Sequence, residues 1–318
     1  NMDSEDEGVA TVSCAGGLRV QFTKEIQRTT VQGSLLTLKV EGLLGGHSGQ
    51  DIDKERQNAD LLMARMIQRL LKETKGQLVS FNGGTKDNAI PRECEASLIY
   101  ESDEEAAKAE ELACELAETY AEELTPAEPD FSCEISCETN RTAEAIPQDA
   151  AKEFICAMRL APNGIQKRNI KMDGFVVVSL NLGVVRTEED RIVMIFSPRS
   201  SVASLQEDTK ERLNTLAETF GFTVSHSSEY PGWSFKEDSP VREICKESYK
   251  ELFGEDLKIE AIHAGLECGL FSDAIKGLDA IAIGPTIANC HTPDEYLTLD
   301  SFERFYEFLK DILSRLAK

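Results

Sequence analysis

The chain has 318 residues, 57 of them Asp or Glu and 34 Lys or Arg, giving a formal charge of −23 and a pI of about 4.6. So acidic a surface repels phosphate backbones and anionic lipid, which argues against nucleic acid and membranes as partners, and no apolar run approaches the ~18 residues needed to span a bilayer. With 41% hydrophobic residues the chain can bury a core, and its length suggests about two domains.

The opening Asn1-Met2-Asp3-Ser4-Glu5-Asp6-Glu7 lacks the basic and apolar stretches of a signal peptide. With no Met at position 1, it reads as starting partway through a longer protein. Val9 to Thr23 reads as extended chain broken at Gly16-Gly17. A strand over Ser34–Gly42 leads into the glycine-rich loop Gly42–Gly49. An amphipathic helix follows, because Ala59, Leu62, Met63, Met66, Ile67, Leu70 and Leu71 recur with the helical period. Strands are predicted at Gln77–Phe81 and Cys94–Glu101, on either side of Asn88-Ala89-Ile90-Pro91, and a second helix over Glu104–Leu124. The segment Glu101–Asp130 holds twelve acidic residues against one basic, Lys108. A run of that kind is more often a solvated helix face than a binding surface.

The pattern then repeats. A strand at Phe131–Cys137 precedes a helix at Gln148–Met158, strands at Phe175–Val184 and Arg191–Phe196, a helix at Ser204–Phe220 and a strand at Phe222–His226. Two β-α-β-β-α-β units, the ferredoxin-like order, are therefore expected. After Pro231-Gly232-Trp233 strands and helices alternate. A helix starts at Ser239-Pro240, strands are expected at Leu257–Ile262 and Leu278–Ile283, and a final helix carries Phe302, Phe305, Leu309, Ile312, Leu313 and Leu316 on one face. That grammar belongs to an α/β architecture with a parallel or mixed sheet. The predicted division is 1–16 and 233–318 as two segments of one α/β domain, with 17–232 as an α+β insertion.

Nine cysteines without a C-x-x-C pair suit reduced thiols in a cytoplasmic protein. Phosphate-binding, dinucleotide-binding, H-E-x-x-H and G-x-S-x-G motifs are all absent. Of the four histidines, His291 follows the expected strand Leu278–Ile283, where ligands gather in open α/β sheets. With carboxylates close by, it can ligate a divalent metal. His47 stands among glycines at a loop tip, placed to donate to a developing oxyanion. His263 and Glu267, four apart, would share a helix face as a second metal pair; a capping histidine beside a substrate-binding carboxylate is the commoner arrangement. His226 receives no role.

The Asn1–Gly8 opening, the loop Gly45-Gly46-His47-Ser48-Gly49, the segment His263-Ala264-Gly265-Leu266-Glu267-Cys268-Gly269 and His291-Thr292-Pro293-Asp294-Glu295 occur in that order. Together they resemble the aminoacyl-histidine dipeptidases (Xaa-His, carnosinase-like) of the di-zinc exopeptidase family. The resemblance implies a zinc-exopeptidase-like α/β catalytic domain interrupted by a large lid made of two ferredoxin-like units, a homodimer formed through the lid, and a small dipeptide substrate. It also implies two zinc ions, replaceable by manganese or cobalt, that activate a water while a glutamate acts as general base. Residue by residue, Asp3 and His291 match metal ligands, and His47 matches the lid histidine facing the tetrahedral intermediate. Asn88, Arg199, Gly265 and, more weakly, Glu267 match substrate-holding positions, with Arg199 suited to grip a terminal carboxylate.

The family's His-x-Asp, bridging Asp and Glu-Glu pair have no counterpart here. On that ground the catalytic domain is expected to be partial and the isolated chain inactive, while the resemblance implies that the parent protein is a metallo-dipeptidase. The alternatives are a non-catalytic dimerising or ligand-binding module, or another acylamino-acid hydrolase of the same fold.

Overall fold

The computed structural model describes residues 1–170, 174–290 and 292–317. The chain runs β1 (Val9–Cys14), β2 (Gly16–Glu25), β3 (Thr29–Glu41), β4 (Gly46–His47), α1 (Ala59–Glu73), β5 (Gln77–Gly83), β6 (Ala89–Ile90), β7 (Cys94–Tyr100), α2 (Asp103–Leu124) and β8 (Ser132–Ala145). It continues with α3 (Gln148–Leu160), β9 (Gly164–Asn169), β10 (Phe175–Thr187), β11 (Arg191–Ser200), α4 (Ala203–Thr219) and β12 (Thr223–Tyr230). After these come α5 (Pro240–Phe253), β13 (Lys258–Ile262), α6 (Glu267–Ala274), β14 (Ile287–Ala288), β15 (Tyr296–Leu297) and α7 (Leu299–Leu316).

Local chemistry explains where several helices begin. The Asn58 and Ser102 side chains accept the Leu61 and Glu105 N–H at the starts of α1 and α2. Asp103, Glu104 and Glu105 add negative charge to the positive end of α2. Helix α5 has Ser239 as its cap and Pro240 in its first turn, and it stops at Gly254, whose φ of 74° suits glycine.

Among the described residues the main sheet has nine strands, in the order β12-β2-β11-β10-β5-β7-β3-β8 with β9 pairing on β10. Read along the chain, β3-α1-β5-β7-α2-β8 is one β-α-β-β-α-β unit, and β2-α3-β10-β11-α4-β12 is the other. The first is thus nested inside the second. This corrects the expectation that a strand near residue 131 opens the second repeat. Strand β8 instead runs to Ala145 beside β3, from Glu41 opposite Ser132 to Thr29 opposite Ala145, and closes the first unit. The second unit opens with β2, whose Leu18, Val20 and Phe22 are covered only when it lies between β11 and β12.

The two units meet where Val185 of β10 pairs with Gly83 of β5. Helices α1 to α4 share one continuous apolar core with the sheet. In it the rings of Phe81 and Phe154 meet edge to face at 5.4 Å, joining β5 to α3. Such a pair adds about 0.5–1.5 kcal/mol beyond the area it buries.

The two ends of the chain form a smaller body. Strand β1 pairs in parallel with β13. Residues 281–283 lie on the other side of β1, where the Thr11 N–H donates to the Ala282 carbonyl (2.8 Å) and the Ile283 N–H to Asn1 O (3.0 Å). The strand expected over Leu278–Ile283 is reduced to a single bridge at Ala282. Tyr249, Phe253 and Phe308 stack between α5 and α7. The apolar residues of α7 do not share one face: Phe305, Phe308 and Ile312 are buried, while Phe302, Leu313 and Leu316 are exposed.

Candidate active site

Strand alternation builds the floor of the site. On β10, Leu180 and Leu182 face the helical core, so Ser179 and Asn181 face the opposite way. Across the sheet Ser179 stands opposite Arg199, Arg199 opposite Gly17, and Gly17 opposite Tyr230. These four residues form one transverse row over β10, β11, β2 and β12. The ladder between β12 and β2 slips by one residue between Ser227 and Tyr230, at Ser228, whose φ is 54°. This bulge brings Tyr230, instead of Glu229, opposite Gly17. Gly17 leaves room for the ring, since a Cβ there would stand 2.8 Å from the Tyr230 hydroxyl.

Arg199 is 7% exposed. Its Nη1 donates to the Tyr230 hydroxyl at 2.9 Å, and among the described residues its buried Nε has no acceptor. Among the described residues no carboxylate pairs with it. A guanidinium in this state costs on the order of several kcal/mol until an anion reaches it.

His47 enters from above. Strand β4 pairs with β6, with His47 opposite Ala89, and the Ser48 N–H donates to the Asn88 carbonyl at 2.9 Å. Asn181 Nδ2 donates to the carbonyls of Ala89 (2.8 Å) and Asp87 (3.1 Å), tying this hairpin to the floor. The His47 Nδ1 accepts from the N–H of Gly49 (3.2 Å) and of Gln50 (3.0 Å). The neutral ring therefore carries its proton on Nε2, which is free to donate. Burial, then the Arg199 charge, hold this histidine below its ordinary pKa, with Asp51 opposing. Protonating Nδ1 would also break both amide bonds.

His263 lies just after β13 and ahead of α6, which starts at Glu267. The two therefore do not share a helix face. His263 Nε2 bonds the Ser179 hydroxyl at 2.8 Å, and burial followed by Arg199 pushes its pKa down to about 3. It is a neutral, buried histidine that braces the floor. Gly49 lies against it, because a Cβ there would come within 2.3 Å of the His263 carbonyl.

Arg199, His47 and the Asn88 backbone are thus gathered around Ser179 and His263. Gly265 is exposed and backs onto the Tyr230 ring, 2.9 Å from where a Cβ would stand. Glu267 is also exposed, and its Oε2 accepts from Asn1 Nδ2 at 2.9 Å. Asp3 is exposed beside Asn1, whose Oδ1 accepts the Asp3 N–H. His291 lies outside the described residues. Among those residues no group of three or more His, Cys, Asp or Glu could hold a metal ion, so they do not by themselves make up a metal centre. Tyr230 and Ser179 are the site residues that sequence reasoning missed. Tyr230 gave no signal beyond its place before Pro231-Gly232, and Ser179 none at all.

Residues 28–315 match the model of peptidase family M20/M25/M40. The chain is 33% identical to the cytosol non-specific dipeptidase of Escherichia coli (strain K12) over 322 residues, covering 99% of this chain and 65% of that protein. The crystal structure of the aminoacylhistidine dipeptidase from Vibrio alginolyticus superposes with a TM-score of 0.94 at 33% identity, covering 99% of this chain and 64% of that one. The chain thus spans a little under two thirds of the length of each relative. It belongs to peptidase family M20/M25/M40.

Proposed function

We propose that this chain contributes the substrate-holding face of a metal-dependent dipeptidase that cleaves Xaa-His dipeptides. Arg199, buried and without a carboxylate partner among the described residues, carries the reading. A dipeptide ends in a free carboxylate, and a guanidinium fixed by Tyr230 with no counter-charge of its own is suited to take one. With the carboxylate there, the His47 Nε2–H is the donor available to the oxygen that becomes negative as the amide is attacked. Asn88, Gly265 and Glu267 would line the rest of the substrate. In this reading residues 17–232 are the lid and the means of homodimerisation, and 1–16 with 233–318 are two segments of the catalytic domain. Two zinc ions would supply the activated water, with Asp3 and His291 as the ligands this chain offers. The described residues do not complete such a centre, so the isolated chain should not turn over.

Calorimetry with glycyl-histidine and with its C-terminal amide tests the carboxylate grip. The free acid should bind at least tenfold more tightly, and Arg199→Ala should abolish the difference. Equal binding of acid and amide would sink the reading. Hydrolysis of β-alanyl-histidine by the 318-residue chain with added zinc should be undetectable, and turnover would show that its own ligands suffice.

A further inference from the structure

We propose that Glu128 is a positioning residue that staples both ends of the loop carrying His47. Glu128 lies between α2 and β8 and is 2% exposed. Its Oε2 accepts the Leu44 N–H at 2.7 Å, and its Oε1 accepts the Gln57 N–H at 2.9 Å. One buried carboxylate thus closes a compact loop whose ends converge, and among the described residues it pairs with no cation. Within the loop, contacts of its own add to the pairing of β4 with β6. Asp51 accepts the His47 N–H (2.7 Å) and the Lys54 ammonium (2.6 Å), and His47 Nδ1 accepts from Gly49 and Gln50.

The turn that holds Glu128 is itself fixed. Its N–H donates to the Leu124 carbonyl at 2.9 Å, and its carbonyl accepts the Phe131 N–H at 3.2 Å. The same turn touches the loop's entry, since a Cβ on Gly42 would collide with the Asp130 carbonyl at 1.9 Å. Arg92 adds a bond to the Leu43 carbonyl at 3.0 Å. Glu128 therefore ties both ends of the loop to the turn after α2, while β6 holds its middle through His47 opposite Ala89 and the Ser48 N–H on the Asn88 carbonyl. An amide cannot replace it, because Gln presents one carbonyl oxygen and would turn an NH2 toward the second N–H.

The catalytic consequence rests on the reading of His47 given above, but the positioning can be measured without turnover. In the unsubstituted chain the Leu44 and Gln57 amide protons should exchange as slowly as those of Gly49 and Gln50. Faster exchange at Leu44 and Gln57 would overturn the proposal whether or not any variant folds. In Glu128→Gln, exchange at Gly49 and Gln50 should rise tenfold or more. The His47 ring nitrogens, followed by 15N NMR, should move from a fixed Nε2–H tautomer toward the averaged signals of a free imidazole, while amides in α7 stay as they were. A lowered melting temperature with unchanged ring signals and loop exchange would make Glu128 merely structural. If His47→Ala leaves dipeptide binding intact, the functional reading of His47 fails while the NMR result still decides the role of Glu128.

Discussion

Asp60, the second residue of α1, is fully buried, and among the described residues no N–H or O–H donor reaches its carboxyl, whose polar neighbour is the Cys94 thiol. Burial raises its pKa to about 8, against the smaller pull of Cys94 and Arg186. The folded chain therefore keeps a proton that the unfolded chain releases above about pH 4. Stability must then fall as pH rises from about 4 through 8, because folding increasingly requires the proton to be taken up again. Asp60→Asn should flatten that decline. Its melting temperature is expected to match the parent near pH 4 and to exceed it by several degrees at pH 8.5; parallel curves would show that Asp60 is ionised in place. Residues of this kind escape sequence reading. An Asp at the start of a helix looks like a favourable charge at the dipole, and only the backbone of Gly83 packed against its carboxyl reveals the burial.

At the scale of elements, periodicity located nearly every helix and most strands but not always their covered faces. In α7, Leu299, Phe302, Tyr306, Leu313 and Leu316 line an exposed apolar stripe while Phe305, Phe308 and Ile312 fill the core. A stripe of that extent on a folded chain should bind apolar probes. The native chain is expected to enhance 1-anilinonaphthalene-8-sulfonate fluorescence, and Phe302→Glu with Leu313→Glu should remove most of the enhancement without lowering the melting temperature. Unchanged fluorescence would place the probe elsewhere, for instance on the exposed Leu270 and Phe271 of α6. Strand β12 shows the complementary difficulty. The sequence reading ends it at His226, and the bulge at Ser228 that re-aims Tyr230 exists only against the register of β2.

Across the whole molecule the nesting makes the two sheet units unequal. Residues 29–145 contain all six elements of the first unit in one stretch, whereas 148–230 lack their opening strand, β2. A fragment of residues 29–145 should fold cooperatively, less stably than the parent because Phe81 loses Phe154. A fragment of 148–230 should stay unfolded unless residues 16–25 are joined to it. Cooperative melting of 148–230 alone, followed by circular dichroism, would refute this dependence. Among the described residues no helix is long and apolar enough to cross a membrane.

The sequence by itself determined the helices and most of the strands, and its ordered motifs, through the family they resemble, named His47, Asn88 and Arg199 as candidates. Those features rest on local periodicity, on capping and glycine chemistry, and on short ordered motifs, all of which neighbouring residues decide. Only the tertiary structure decided that β2 rather than a later strand opens the second unit, that Tyr230 fixes Arg199, that His263 bonds Ser179 instead of pairing with Glu267, and that Glu128 closes the His47 loop. Each of these joins residues far apart in the chain. Their energies come from pairing register, burial and the matching of isolated donors to acceptors, which no local pattern encodes.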